Sequence, residues 1–179
     1  MTVASTDCLG RQKMTGVLKC ALLMFAHCAG CLLVLEGSLA QAQVLIQGPS
    51  GGDGGSSLDA CANYTVKSVT ITSGQYINSI SVDYDDQACC HRLAGSTARD
   101  SVTLPVPPGD RIIGVSGRYG KYVDHIKIWT AQNPVGVEAG GPGGAVDFEY
   151  HALPGTAIIG FMGRAGQYID AVGVCMRSQ

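Results

Sequence analysis

The sequence predicts an all-β domain: three four-stranded antiparallel sheets around one core, related by pseudo-threefold symmetry. Three observations carry this. A phrase recurs, as "SGQYINSISV" (Ser73–Val82), "GRYGKYVDHIKI" (Gly117–Ile128) and "GRAGQYIDAVGV" (Gly163–Val174), and its glycines Gly74, Gly120 and Gly166 stand 46 residues apart. A fixed period of a few tens of residues marks a repeated supersecondary unit. Within each unit apolar residues alternate with polar ones, and glycine clusters separate the units: "GPSGGDGGS" (Gly48–Ser56), a weak "LAGST" (Leu93–Thr97) and "AGGPGG" (Ala139–Gly144).

The alternation places the strands. Ile80, Val82 and Tyr84 share one face, opposite Ser81 and Asp83; Ile126 and Ile128 lie opposite Lys127 and Trp129; Val172, Val174 and Met176 form the third face. Period two with β-branched residues indicates half-buried strands. Strands also precede each phrase, at Val66–Thr72, Arg111–Gly117 and Ala157–Gly163, with turn signals at Pro107-Pro108-Gly109-Asp110 and Pro154-Gly155. Each repeat therefore holds an antiparallel pair connected through the phrase. No helical period stands out after residue 42.

The first 42 residues differ. Arg11, Lys13 and Lys19 precede the apolar run Cys20–Leu35, which ends in "EGSLAQAQ". This reads as a secretory signal peptide, residues 1–42, cut after Ala42. The apolar run is short for an uncleaved membrane anchor. Residues 43–179 then form one domain, with 9 basic and 12 acidic residues. That balance argues against nucleic acid as a partner, and no membrane association is expected of the mature form. Cys61, Cys89, Cys90 and Cys175 remain, in an oxidising compartment that permits disulfides. Four cysteines allow three connectivities, and the sequence does not choose among them. Asn63-Tyr64-Thr65 is a glycosylation sequon.

Other chemistries find little support. Gly51–Gly55 is not followed by the Gly-Lys-Ser/Thr of a phosphate loop. Cys89-Cys90-His91 lacks the second ligand pair of a metal site. His125 adjoins Asp124, but neighbours on a strand face opposite ways, which argues against a catalytic dyad. Asp83, Asp85 and Asp86 read as a solvated turn, and Ser116 lacks the spacing of a nucleophile elbow. No enzyme activity, metal or cofactor is expected.

The stretches "GPSGGDGGSSLDA", "SVTITSGQYINSISVDY" and "IIGFMGRAGQYIDAVGV" resemble the jacalin-related lectins, of the β-prism I fold with Greek-key sheets. The similarity runs from about Val44 to Met176. It implies a secreted or cytosolic sugar-binding protein, often a homo-oligomer, without catalysis. The chemistry suits a hexose: a carboxylate accepts from neighbouring hydroxyls, and N–H groups converging in a tight loop donate to sugar oxygens.

Carried over by position, Gly166, Asp170 and the Gln167 and Tyr168 backbone would meet the first glycine loop at Gly51 and Gly52. Gly120, Asp124 and the Lys121 and Tyr122 backbone would meet the third, which includes Gly140, Gly141 and Gly144. Asn78, with Gln75 and Tyr76, would meet a second loop that has only Gly95. A neutral amide there replaces the carboxylate, so the first repeat is expected to keep the turn and lose the site. The rings of Tyr122 and Tyr168 would either cover a sugar's apolar face or rim the loop. Galactose-binding members carry a free amine at the first glycine loop, made by proteolysis. Here Gln43–Ser50 runs unbroken into Gly51, which favours mannose or glucose glycans, on glycoproteins or cell-wall polysaccharide. The competing readings are a galactose-type lectin and a non-lectin structural or protein-interaction module on the same prism.

Overall fold

Each glycine-punctuated repeat becomes a sheet of its own in the computed structural model, which describes residues 43–62, 64–85, 90–96 and 100–179. The expected leader, the sequon's Asn63 and Cys89 lie outside the described residues. Strands β1 (Leu45–Gly51) and β2 (Ser56–Cys61) join the last two, β11 (Thr156–Ala165) and β12 (Ile169–Ser178), in the order β1-β12-β11-β2. Strands β3 (Val66–Ser73), β4 (Ile77–Tyr84), β5 (Cys90–Ala94) and β6 (Asp100–Pro105) form β5-β4-β3-β6. Strands β7 (Ile112–Tyr119), β8 (Val123–Thr130), β9 (Val137–Gly140) and β10 (Val146–His151) form β9-β8-β7-β10. Among the described residues all pairings are antiparallel, and a single one, Ile112 with Ile158, joins the last two repeats' sheets. Among the described residues there is no helix. The expected three-sheet prism is the observed fold.

The 46-residue period is a register of the core. Ile77, Val123 and Ile169, then Ile80, Ile126 and Val172, then Val82, Ile128 and Val174 are at most 1% exposed. So are Val69, Val115 and Phe161 on the preceding strands. Each set takes one residue from each sheet, so the three inner faces close one apolar interior, which is the main driving force for the fold. Departures from symmetry compensate in volume. Ile71 fills its place in the first sheet, whereas the second has Gly117, over which the Phe148 ring packs. On the outer face of the second sheet the Trp129 indole lies over Gly114, where any side chain would collide with it. Its edge meets His151, with ring centroids 5.6 Å apart.

The turns follow their sequence signals. Asp110 N donates to Pro107 O and Thr156 N to Leu153 O, both at 2.9 Å. The glycine cluster before Gly52 is less loop-like than the sequence suggests: Gly48–Gly51 belongs to β1, with a register irregularity between Gln47 and Ser50.

At the end of the prism away from the recurring phrase, Asp110 ties two turns together. Its carboxylate accepts from the Thr130 hydroxyl and from the N–H of Arg111 (2.7 Å) and Gln132 (3.1 Å). Burial alone would raise its pKa; the hydrogen bonds from Thr130, Arg111, Gln132 and Ala131 outweigh that and hold it below the ordinary 3.8. Cys61 and Cys175 form a disulfide across 114 residues. Both are register partners of Gly160 on the strand between them. The bridge joins β2 to β12.

Two stability predictions follow from these ties. Replacing both Cys61 and Cys175 by Ser should lower unfolding free energy by about 2–4 kcal/mol, because the open chain regains the entropy of a long loop; urea unfolding checks this. Asp110→Asn should lower the melting temperature at pH 7. A carboxylate with a lowered folded pKa stabilises above its unfolded value and ceases to as pH falls through the folded one. The gap between variant and unmodified protein should therefore close as melts are moved below about pH 4.

Candidate functional site

The recurring phrase forms three tight turns at one end of the prism. In each, the opening glycine donates its N–H two residues on: Gly74 to Tyr76 O, Gly120 to Tyr122 O and Gly166 to Tyr168 O, all at 3.0 Å. Each turn then meets a glycine loop through one repeated backbone bond. Gly52 N donates to Asp170 O (2.8 Å), Gly141 N to Asp124 O (2.9 Å) and Gly95 N to Asn78 O (2.8 Å). Gly95 is thus the structural counterpart of Gly52 and Gly141, and the pairings expected from position are those observed.

The loops need glycine because they pass directly over the turn. Gly51 and Gly140 have φ of 145° and 103°, and each lies against the backbone carbonyl of Asp170 or Asp124. A side chain at Gly54 would strike the Asp170 carboxylate, and one at Gly143 would strike that of Asp124. Gly144 packs instead on Arg118 and the Tyr119 backbone. Position alone does not single out Gly54, Gly55 and Gly143, yet a side chain at any of them would meet a carboxylate or the backbone beside it.

The side chains that end the turns differ in what satisfies them. Asp170 is 3% exposed and Asp124 7%, and among the described residues neither carboxylate accepts a hydrogen bond. Asp170 Oδ2 is fully buried without a partner. Buried polar atoms in folded proteins nearly always have partners, so an unpaired carboxylate oxygen calls for one. Asn78 is as buried, at 5%, but its amide donates to Ser96 Oγ at 2.7 Å. Donors are at hand beside the aspartates: the N–H groups of Gln167, Tyr168, Lys121 and Tyr122 form no hydrogen bond among the described residues.

The tyrosines have a use that the sequence reading did not foresee. Tyr76, Tyr122 and Tyr168 pack against one another on the pseudo-threefold axis, every pair of centroids 5.1 Å apart with planes at about 60°. Edge-to-face contact suits the ring quadrupoles. The rings, half-buried, close the end of the prism. Their equal spacing of 46 residues was the available signal. Lys121 Nζ lies 5.2 Å from the Tyr122 centroid, and Gln167 Nε2 is 3.4 Å from the Tyr168 hydroxyl.

Arg164 was also missed. Its Nε and Nη2 donate to the carbonyls of Gly54 and Gly55, both at 2.7 Å, and Nη1 to Ser57 Oγ at 3.2 Å. It grips the first glycine loop from the side.

The geometry can be set beside known proteins. No curated protein sequence matches the chain at a significant level. Among solved structures, the chain resembles wild-type Malaysian banana lectin, with a TM-score of 0.65 at 23% identity over 76% of this chain and 100% of that one. Artocarpin, described as a lectin with mannose specificity, gives a TM-score of 0.66 at 23% identity, covering 76% of this chain and 99% of its own. The agglutinin of Calystegia sepium gives 0.64 at 21% identity, with 75% and 97% covered. At such identities these likenesses establish the fold. The jacalin-like lectin domain model matches residues 47–175, nearly the whole prism, and the chain belongs to that family of carbohydrate-binding, non-catalytic lectins.

Proposed function

We propose that this lectin binds mannose- or glucose-type sugars at two sites per chain, one built on Asp170 and one on Asp124. The observation that carries this reading is that two buried aspartates accept no side-chain hydrogen bond among the described residues, Asp170 Oδ2 being fully buried, while the N–H groups of the two residues after each opening glycine are likewise unbonded there. A hexose edge supplies the complement: hydroxyls donate to the carboxylate and accept from the N–H groups. Nothing in this scheme needs a metal or bond cleavage. The third turn has the same backbone but an amide already bonded to Ser96, so it has no unmet acceptor to offer.

Two considerations favour the mannose type over galactose. A chain left uncut between Gln43 and Gly51 would have no free amine beside Asp170. Artocarpin, which shares the fold, is described as mannose-specific. In this reading the protein is exported after loss of residues 1–42. Amino-terminal sequencing of protein from its native source should find Gln43 first, and a chain starting before Lys19 would refute export by cleavage.

Titration calorimetry with methyl α-mannoside should give two sites per chain, each of millimolar order. Asp170→Asn keeps the side chain's size but removes a charged acceptor, whose hydrogen bonds are worth roughly 1.5–3 kcal/mol. It should weaken its site about ten- to a hundredfold, leaving one measurable site, and Asp124→Asn should do the same at the other. Asn78→Ala should leave the count at two. Three sites in the unmodified protein, one that survives loss of both aspartates, or preference for methyl α-galactoside would overturn the assignment.

A further inference from the structure

The two carboxylate sites share a design but are not equally braced. On the Asp170 side, Arg164 holds the carbonyls of Gly54 and Gly55 and the hydroxyl of Ser57, with three donors of one planar group. These glycines are the ones lying over the carboxylate. From the opposite side Ser96 N donates to Gln167 O at 2.7 Å, and Ser96 is itself held by the Asn78 amide. The Asp170 turn and its covering loop are therefore fixed on both flanks.

The Asp124 side lacks both braces. Arg118 stands 46 residues before Arg164, but among the described residues it makes no hydrogen bond to its glycine loop. Gly144 packs against the base of its side chain. The counterpart of Gln167 O is Lys121 O. It faces Gly52 but accepts no backbone hydrogen bond among the described residues.

We propose that Arg164 and the Ser96 amide are positioning groups that make the Asp170 site the tighter of the two, and that the first repeat's turn, which has lost its own site, serves as a brace for its neighbour's. A flexible glycine loop has many conformations to lose when a ligand binds. Loop residues already held in the bound arrangement lose fewer, and affinity rises without any new contact to the sugar. Arg suits this role because its rigid fork satisfies two neighbouring carbonyls at once, which a single ammonium does not. The inference rests on the two-site reading above.

The test uses two parent proteins. Asp124→Ala leaves the Asp170 site alone, and Asp170→Ala leaves the Asp124 site alone. Methyl α-mannoside affinity should be higher in the first parent. Adding Arg164→Ala should weaken binding about tenfold in the first and leave the second unchanged, which also shows that the variant folds. Arg164→Lys, which keeps the charge and the aliphatic stem, should lose nearly as much as Ala. Ser96→Pro, lacking the N–H, should weaken the first parent and spare the second.

Equal losses in both parents would make Arg164 a general stabiliser and overturn the inference. So would full affinity in the Lys variant. Tighter binding in Arg164→Ala would mean that the arginine holds the loop shut. If neither the parents nor the unmodified protein binds mannoside, the two-site reading itself fails and this inference with it. If the parents bind and the Arg164 and Ser96 changes do nothing, only the inference fails.

Discussion

Three backbone hydrogen bonds organise the functional end of the prism: Gly52 N to Asp170 O, Gly95 N to Asn78 O and Gly141 N to Asp124 O. Each joins a loop from one end of a four-stranded sheet to the turn between its two central strands. Because the bond is made to the carbonyl, it leaves the side chain of the same residue for other use. That separation lets the position carry Asp twice and Asn once without disturbing the turn. It also fixes where small residues are required, since the loop must come close enough to donate.

The interior below explains why the turns lie side by side. Three inner faces contribute equivalent residues at 46-residue intervals, such as Ile80, Ile126 and Val172. Packing one interior from three sheets brings their central hairpins together at one end, where Tyr76, Tyr122 and Tyr168 fill the axis. The outward shell departs most from symmetry. Gly114 under Trp129 and the Cys61–Cys175 bridge belong to one sheet each.

The strands, the type of fold and the pairing of turns with glycine loops were legible in the sequence, because each depends on local pattern repeated at one period. Alternation marks a strand regardless of what it packs on, as Ile126 and Lys127 show. What escaped depends on contacts between distant segments with no repeated signature. Arg164 meets Gly54 across 110 residues, and its equivalent Arg118 does nothing similar, so no periodicity could announce the clamp. Cys61 and Cys175 face each other only because both flank Gly160 in register. The tyrosine cluster was legible in principle, since its members are equally spaced. Rings at turn positions suit a sugar face or a loop rim equally well, and their proximity to one another requires knowing that the turns surround an axis.

The Asn78 turn shows what a site costs the protein that carries it. A buried carboxylate without a hydrogen-bond partner is unfavourable in the free protein, by about 1–3 kcal/mol for an unsatisfied polar group and more when it is charged. Among the described residues Asp170 Oδ2 is such an atom, and in the two-site proposal a sugar hydroxyl would relieve it. At the third turn the same backbone holds a neutral amide paired with Ser96, so nothing is left to relieve. Stability and binding therefore draw on the same atoms. A carboxylate in place of the Asn78 amide could not donate to Ser96 Oγ as the amide does. The amide at the first repeat's turn is thus satisfied while the backbone of the turn is kept. The freed loop then makes the Ser96–Gln167 bond that neither of the other loops has a counterpart for among the described residues. In the two-site proposal the third turn is therefore a redistribution: it offers no acceptor of its own, and its loop instead holds the Gln167 carbonyl beside Asp170.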